Sequence, residues 1–116
     1  MLRGVRGATT VENNTVSDVL NATKELLKEI LDANSLNVND IASIIFSATD
    51  DLNAEFPAKA ARLMGLDQVP LLCSREIAVP KSLEKCIRVL MHINSNKQQK
   101  EIKHIYLKNA KDLRKE

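Results

Sequence analysis

Two arginines stand in sequence surroundings that do not favour them. Arg88 lies in the middle of an apolar run, Cys86-Ile87-Arg88-Val89-Leu90-Met91, and Arg6 in the glycine-flanked run Arg3-Gly4-Val5-Arg6-Gly7. A guanidinium within an apolar strand either turns to water or meets an anion. Glu76 follows in Cys73-Ser74-Arg75-Glu76, as a surface carboxylate paired with Arg75 or as part of the same site. Lys59 and Arg62, in Phe56-Pro57-Ala58-Lys59-Ala60-Ala61-Arg62, are three apart and share a face of a helix. Taken singly, each of these charges reads as a solvated surface group. Taken together, in a chain close to neutral, they point to a site for a small anion. The chemistry left to such a site is binding or electrostatic catalysis. The sequence has no GxSxG elbow, Walker loop, HExxH or GxGxxG. A nucleophilic Cys73 would need a histidine at hand, and neither His92 nor His104 has a sequence context tying it to that thiol. Cys73 and Cys86 read better as buried, inert thiols.

Composition narrows the field further. Seventeen basic residues against 15 acidic give a net charge of +2, with no electrostatic footprint for nucleic acid. Aromatic residues make up 3% (Phe46, Phe56 and Tyr106), too few for base-stacking platforms. Two cysteines outside any CxxC pair are expected to be reduced, and two scattered histidines do not make a zinc site. No metal and no cofactor is expected. No apolar run approaches the roughly 18 residues needed to span a bilayer. The opening Met1-Leu2-Arg3-Gly4-Val5-Arg6 lacks the apolar segment of a secretion signal, so a cytoplasmic protein is expected, with neither membrane nor nucleic-acid partners. A chain of 116 residues fits one domain, 1–116.

The elements that would carry these residues can be read from periodicity. Leu2 to Ala8 is a short extended segment. Thr15-Val16-Ser17-Asp18 fits a helix N-terminus, after which Val16, Val19, Leu20, Thr23, Leu27, Ile30 and Leu31 recur at helical spacing to about Asn34. Lys24, Glu25, Lys28 and Glu29 then face water. Asn37 to Asp40 is a turn, and the β-branched Ile41 to Ala48 a buried strand. Pro57 opens a second helix over Ala58 to Met64 that Gly65 terminates. Val69 to Ser74 predicts a third strand, and Val79 to Lys85 a short helix or an irregular connection. Ile87 to Asn94 alternates strictly: Ile87, Val89, Met91 and Ile93 on one face, Arg88, Leu90, His92 and Asn94 on the other. Ile102 to Leu107 predicts a fifth strand, carrying Tyr106, and Lys108 to Arg114 a short helix or tail. The order β-α-β-α-β-β-β predicts an α+β fold, a mixed sheet with helices on one face.

Several blocks resemble AroH-type chorismate mutases: Arg3-Gly4-Val5-Arg6-Gly7-Ala8-Thr9-Thr10-Val11-Glu12, Ser47-Ala48-Thr49-Asp50-Asp51-Leu52, Phe56-Pro57-Ala58-Lys59-Ala60, Val69-Pro70, Cys86-Ile87-Arg88-Val89 and His104-Ile105-Tyr106-Leu107. They follow the family's order at nearly its spacing and cover essentially the whole chain. Their combination is specific, although no single block is. The resemblance implies a homotrimer in which three mixed sheets close into a pseudo-α/β barrel with helices outside and active sites at subunit interfaces. A small chain has little interior to spare for a ligand cavity, and interfaces often supply one.

The resemblance also implies the reaction, the cofactor-free [3,3] rearrangement of chorismate to prephenate, on the route to phenylalanine and tyrosine. By position, Arg88 matches the family arginine at the ether oxygen and a carboxylate. Arg6 and Tyr106 match the groups that hold the side-chain carboxylate. Glu76 matches the carboxylate near the ring and its hydroxyl, with Cys73 beside it. Phe56, Lys59 and Arg62 match the neighbouring subunit's wall and entrance, and Leu113 and Arg114 a C-terminal tail over the site. Two departures stand out: Leu72 replaces a common threonine, and the loop from Gly65 to Gln68 is one residue short. A competing reading is a trimeric carboxylate-binding or imine-hydrolysing protein of the Rid type, and a weaker one is an inactive binding or regulatory subunit. Arg6 and Arg88 converging on one pocket would favour the mutase, because a Rid-type site needs no second cation at a reacting ether.

Overall fold

The computed structural model describes residues 1–114, and of Arg114 the backbone alone. Five strands, β1 (Leu2–Thr10), β2 (Ile41–Ala48), β3 (Leu71–Arg75), β4 (Cys86–Asn94) and β5 (Ile105–Tyr106), form one mixed sheet in the order β3-β2-β4-β1-β5. β4 runs antiparallel to both of its neighbours, β1 and β2, while β3 runs parallel to β2 and β5 parallel to β1. The helix α2 (Ala58–Leu63) is the crossover that the parallel β2–β3 pair requires, and α1 (Val16–Ala33) follows β1 on the same face.

One face of the sheet is covered and the other is largely open. Val5 of β1, Ile44 and Phe46 of β2, and Val89, Met91 and Ile93 of β4 pack with Leu26, Leu27 and Ile30 of α1 and Ala58 and Ala61 of α2 in the main core. Gly7 is what lets α1 lie so close. A methyl group there would stand 2.7 Å from the Ile30 side chain and 3.2 Å from that of Leu26. The alternate residues of each strand face the other way, where neither α1 nor α2 lies. Arg6, Arg88 and Leu90 are exposed on that side.

The helix ends follow local chemistry. The Thr15 side chain accepts from the Asp18 N–H and caps α1, as the Thr15–Asp18 pattern predicts. Beyond α2, Gly65 adopts φ +90°, a conformation that β-carbon-bearing residues avoid. Val16 is 46% exposed despite its place in the helical pattern, because it lies in the first turn at the rim of the core.

Most predicted elements stand within two residues of their observed ends. The fifth strand is the exception, being shorter than the span from Ile102 to Leu107. Residues 102–104 lie outside the sheet, and strand pairing is confined to Ile105 and Tyr106. Asn34, at the end of α1, takes over part of the ladder's role: its Oδ1 accepts from the Lys103 N–H and its Nδ2 donates to the Lys103 carbonyl. Residues 79–85 are irregular, and 108–114 form 3-10 turns. Among the described residues no helix is long and apolar enough to cross a membrane.

Candidate active site

The open face brings the two strand arginines together. In the β1–β4 register Ala8 lies opposite Arg88, and Arg6 opposite Leu90. Paired residues share a face, so Arg6 and Arg88 are diagonal neighbours on the open side. Tyr106 pairs with Ala8 from β5, and Ser47 pairs with Arg88 from β2. One row across the sheet therefore reads Ser47, Arg88, Ala8, Tyr106. Ala8, the smallest side chain of the row, leaves a floor between the guanidinium and the phenol. Arg6, Arg88 and Tyr106 line one cavity of about 240 Å³ with Ile45, Ser47 and Leu90.

Glu76 reaches this row from beyond the end of β3. Its N–H donates to the Ala48 carbonyl at 3.0 Å, which extends the β2–β3 pairing by one residue. Its carboxylate meets the Arg88 Nε at 3.4 Å and accepts a hydrogen bond from the Ser47 hydroxyl. Glu76 is thus paired with Arg88, not with the adjacent Arg75. This arrangement fixes the guanidinium from one side and leaves its remaining N–H groups for a ligand. Ser47 is a site residue that the charge pattern did not single out. Its signal was a hydroxyl at an open-face position of a mostly apolar strand, a signal that Ser43 shares.

A second group lies elsewhere on the protomer. Phe56 and Cys73 line a cavity of about 380 Å³ with Ala48, Pro57 and Arg75. Phe56 is 66% exposed. Lys59 and Arg62 are both exposed on α2, and Lys59 is held by Glu55 at 3.3 Å, one helical turn away. The Phe56 N–H and then Lys59 hold the Glu55 carboxyl below its ordinary pKa. Cys73 precedes Glu76 by three residues but is turned to the other face. It pairs with Phe46 in the parallel β2–β3 register and packs against the main core, so its side chain is on the covered face. Ser74, the next residue, takes the open face instead.

Leu113, like Tyr106, packs against the buried cluster of Ala8, Cys86 and Ala110, which puts the C-terminal turns beside the arginine row. The Arg114 side chain lies outside the described residues. Cys86 is fully buried, and burial pushes its thiol pKa up, away from thiolate chemistry. The site as built holds two guanidinium groups, that of Arg88 anchored by Glu76, with a phenol, a carboxylate and a hydroxyl. It is suited to hold a small polycarboxylate and to stabilise charge that develops on it.

Comparison with known proteins agrees with that chemistry. The family profile described as chorismate mutase type I matches residues 2–116. The chain is 46% identical to chorismate mutase AroH of Thermus thermophilus over 115 residues, 98% of this chain and 94% of that protein. It is 45% identical to chorismate mutase AroH of Bacillus subtilis strain 168 over 115 residues, 98% of this chain and 91% of that one. A solved chorismate mutase from Clostridium thermocellum superposes with a TM-score of 0.93 at 54% identity, over 94% of this chain and 97% of that one. With sequence and fold matched over nearly their whole length, the chain belongs to the type I chorismate mutase family.

Proposed function

We propose that the protein isomerises chorismate to prephenate in the cytosol, on the way to phenylalanine and tyrosine, in sites completed by neighbouring chains of a homotrimer. The carrying observation is the convergence of Arg6, Arg88 and Tyr106 on one cavity, with Glu76 ion-paired to Arg88. That convergence, with the family membership, weighs against the Rid-type reading, in which one arginine suffices.

The reaction asks little of acid–base groups. Chorismate carries two carboxylates and an enolpyruvyl ether. The ether C–O bond breaks as a C–C bond forms between the enolpyruvyl terminus and the ring, and no proton is transferred. Negative charge gathers on the ether oxygen, and positive character on the ring. The protein has to select the compact chair-like conformer and favour that separated charge. Arg88 stands at the ether oxygen and a carboxylate. Arg6 and Tyr106 hold the side-chain carboxylate, and Glu76 faces the ring and its hydroxyl. An acceleration of about 10⁶ corresponds to ~8 kcal/mol. A preorganised cation at the oxygen contributes ~3–4 kcal/mol of that, by analogy with an oxyanion-hole donor. Conformer selection and the remaining contacts supply the rest.

The case for a trimer starts from what a single protomer lacks. A cavity of about 240 Å³ falls short of the roughly 300–1,000 Å³ of enclosed ligand sites. The open face carries apolar groups suited to burial, with Leu72 61% and Leu2 59% exposed. Closing three such sheets into a barrel covers these faces and sets the wall of Phe56, Lys59 and Arg62 from one chain against the arginine row of the next. Cys73, which shares the cavity of Phe56, goes with that wall, and Leu113 lies over the entrance. The deciding experiment is chorismate consumption by the purified chain, followed by ultraviolet absorbance with prephenate identified as product. Loss of chorismate at an enzymatic rate is expected. Binding without conversion would leave the inactive-subunit reading standing.

A further inference from the structure

Beneath Arg6 lies a contact that the arginine row does not explain. The Arg6 N–H points away from β4, toward the edge of β1 that β5 covers further along. There β5 pairs with Gly7 and Ala8, and the Leu107 N–H closes the ladder on the Ala8 carbonyl at 2.9 Å. Arg6 lies one residue before that pairing begins. Its N–H donates instead to the His104 Nδ1 at 2.9 Å, across 98 residues of sequence. Gln99 serves the same edge two residues earlier, donating from Nε2 to the Gly4 carbonyl at 3.3 Å. Accepting at Nδ1 puts the proton of the neutral His104 ring on Nε2.

His104 immediately precedes β5, two residues before Tyr106. The imidazole therefore ties the backbone that carries Arg6 to the backbone that carries Tyr106, the two groups that share the cavity. A two-residue strand at a sheet edge holds that spacing weakly by itself. We infer that His104 is a positioning residue for substrate binding, setting Arg6 against Tyr106 through the Arg6 N–H; the inference rests on the chorismate mutase reading above. His104 acts through Arg6 and not on the substrate, so its loss should weaken carboxylate binding more than it slows the rearrangement.

Two variants separate this role from plain packing. His104→Phe keeps a planar ring and removes the acceptor, whereas His104→Asn places Oδ1 near the position of Nδ1. With chorismate as substrate, His104→Phe is expected to raise KM roughly threefold to tenfold with kcat within about twofold, and His104→Asn to restore KM to within about twofold of wild type. A His104→Phe enzyme with wild-type KM, or a His104→Asn enzyme as impaired as His104→Phe, overturns the inference. Should His104→Phe fail to fold, nitrogen NMR on the wild-type chain still decides: a scalar coupling across the hydrogen bond between the Arg6 amide nitrogen and His104 Nδ1 is expected, and its absence overturns the tie. A wild-type chain that leaves chorismate untouched overturns the functional reading and this inference with it. An active wild type with a KM insensitive to His104 overturns this inference alone.

Discussion

At the scale of single residues, the proposed site separates holding from catalysis. In that proposal Arg6 grips a carboxylate that does not react, so its contribution is nearly equal in ground and transition states. Arg6→Ala should raise KM roughly 30-fold, about 2 kcal/mol, with a smaller change in kcat, as steady-state kinetics would show. Ser47 acts one step further back, on the carboxylate that orients Arg88. Ser47→Ala should lower kcat/KM roughly threefold to tenfold, about 1 kcal/mol, while the thermal unfolding midpoint stays close to that of wild type. The arginines were legible in the sequence because a charge amid β-branched and aliphatic neighbours is costly unless something receives it. Ser47 was not, because a serine in a strand carries no such cost. The face of Cys73 was not legible for a related reason: adjacency to Glu76 in sequence says nothing about face, and strand alternation turns residue 73 inward and 74 outward.

At the scale of elements, the open face depends on how tightly the other face is covered. Gly7 sits between Arg6 and Ala8 of the site and directly under α1. Gly7→Ala pushes a methyl group against Ile30 and Leu26, both fully buried, and should destabilise the fold by about 1–3 kcal/mol, measured by chemical denaturation. Alternation located β4 closely because it has one buried face and one open one; β2 was located by its β-branched apolar run and, though expected to be buried, leaves Ser43, Ile45 and Ser47 only half-buried on the open face. The apolar pattern overextended β5 because Ile102 is buried for a different reason. Ile102 joins the main core from a segment that Asn34 fastens, not from a strand. A buried apolar residue beside a short strand looks the same in sequence as one inside it.

At the scale of the whole molecule, the arginine row and the wall around Phe56 belong to separate cavities of one protomer, and in the proposed trimer three-fold closure makes them face each other. Chains carrying Arg88→Ala should therefore complement chains carrying Lys59→Ala with Arg62→Ala. Refolded as an equal mixture, hybrid trimers should recover about a quarter of wild-type sites, read as activity above the sum of the two parents. A mixture no more active than its parents would place both defects in one protomer's site. No periodicity in the sequence speaks to this arrangement, because an exposed open-face residue such as Leu72 looks like any apolar strand residue until its face is known. All three scales depend on the fixed, planar charge of Arg88 favouring the polarised rearrangement over the starting ether. The kcat of Arg88→Lys, measured on a variant with wild-type assembly and unfolding midpoint, tests it most directly. A fall of roughly 10²-fold or more, about 3 kcal/mol, is predicted, since an ammonium cannot reproduce the guanidinium fork; a kcat close to wild type would contradict it.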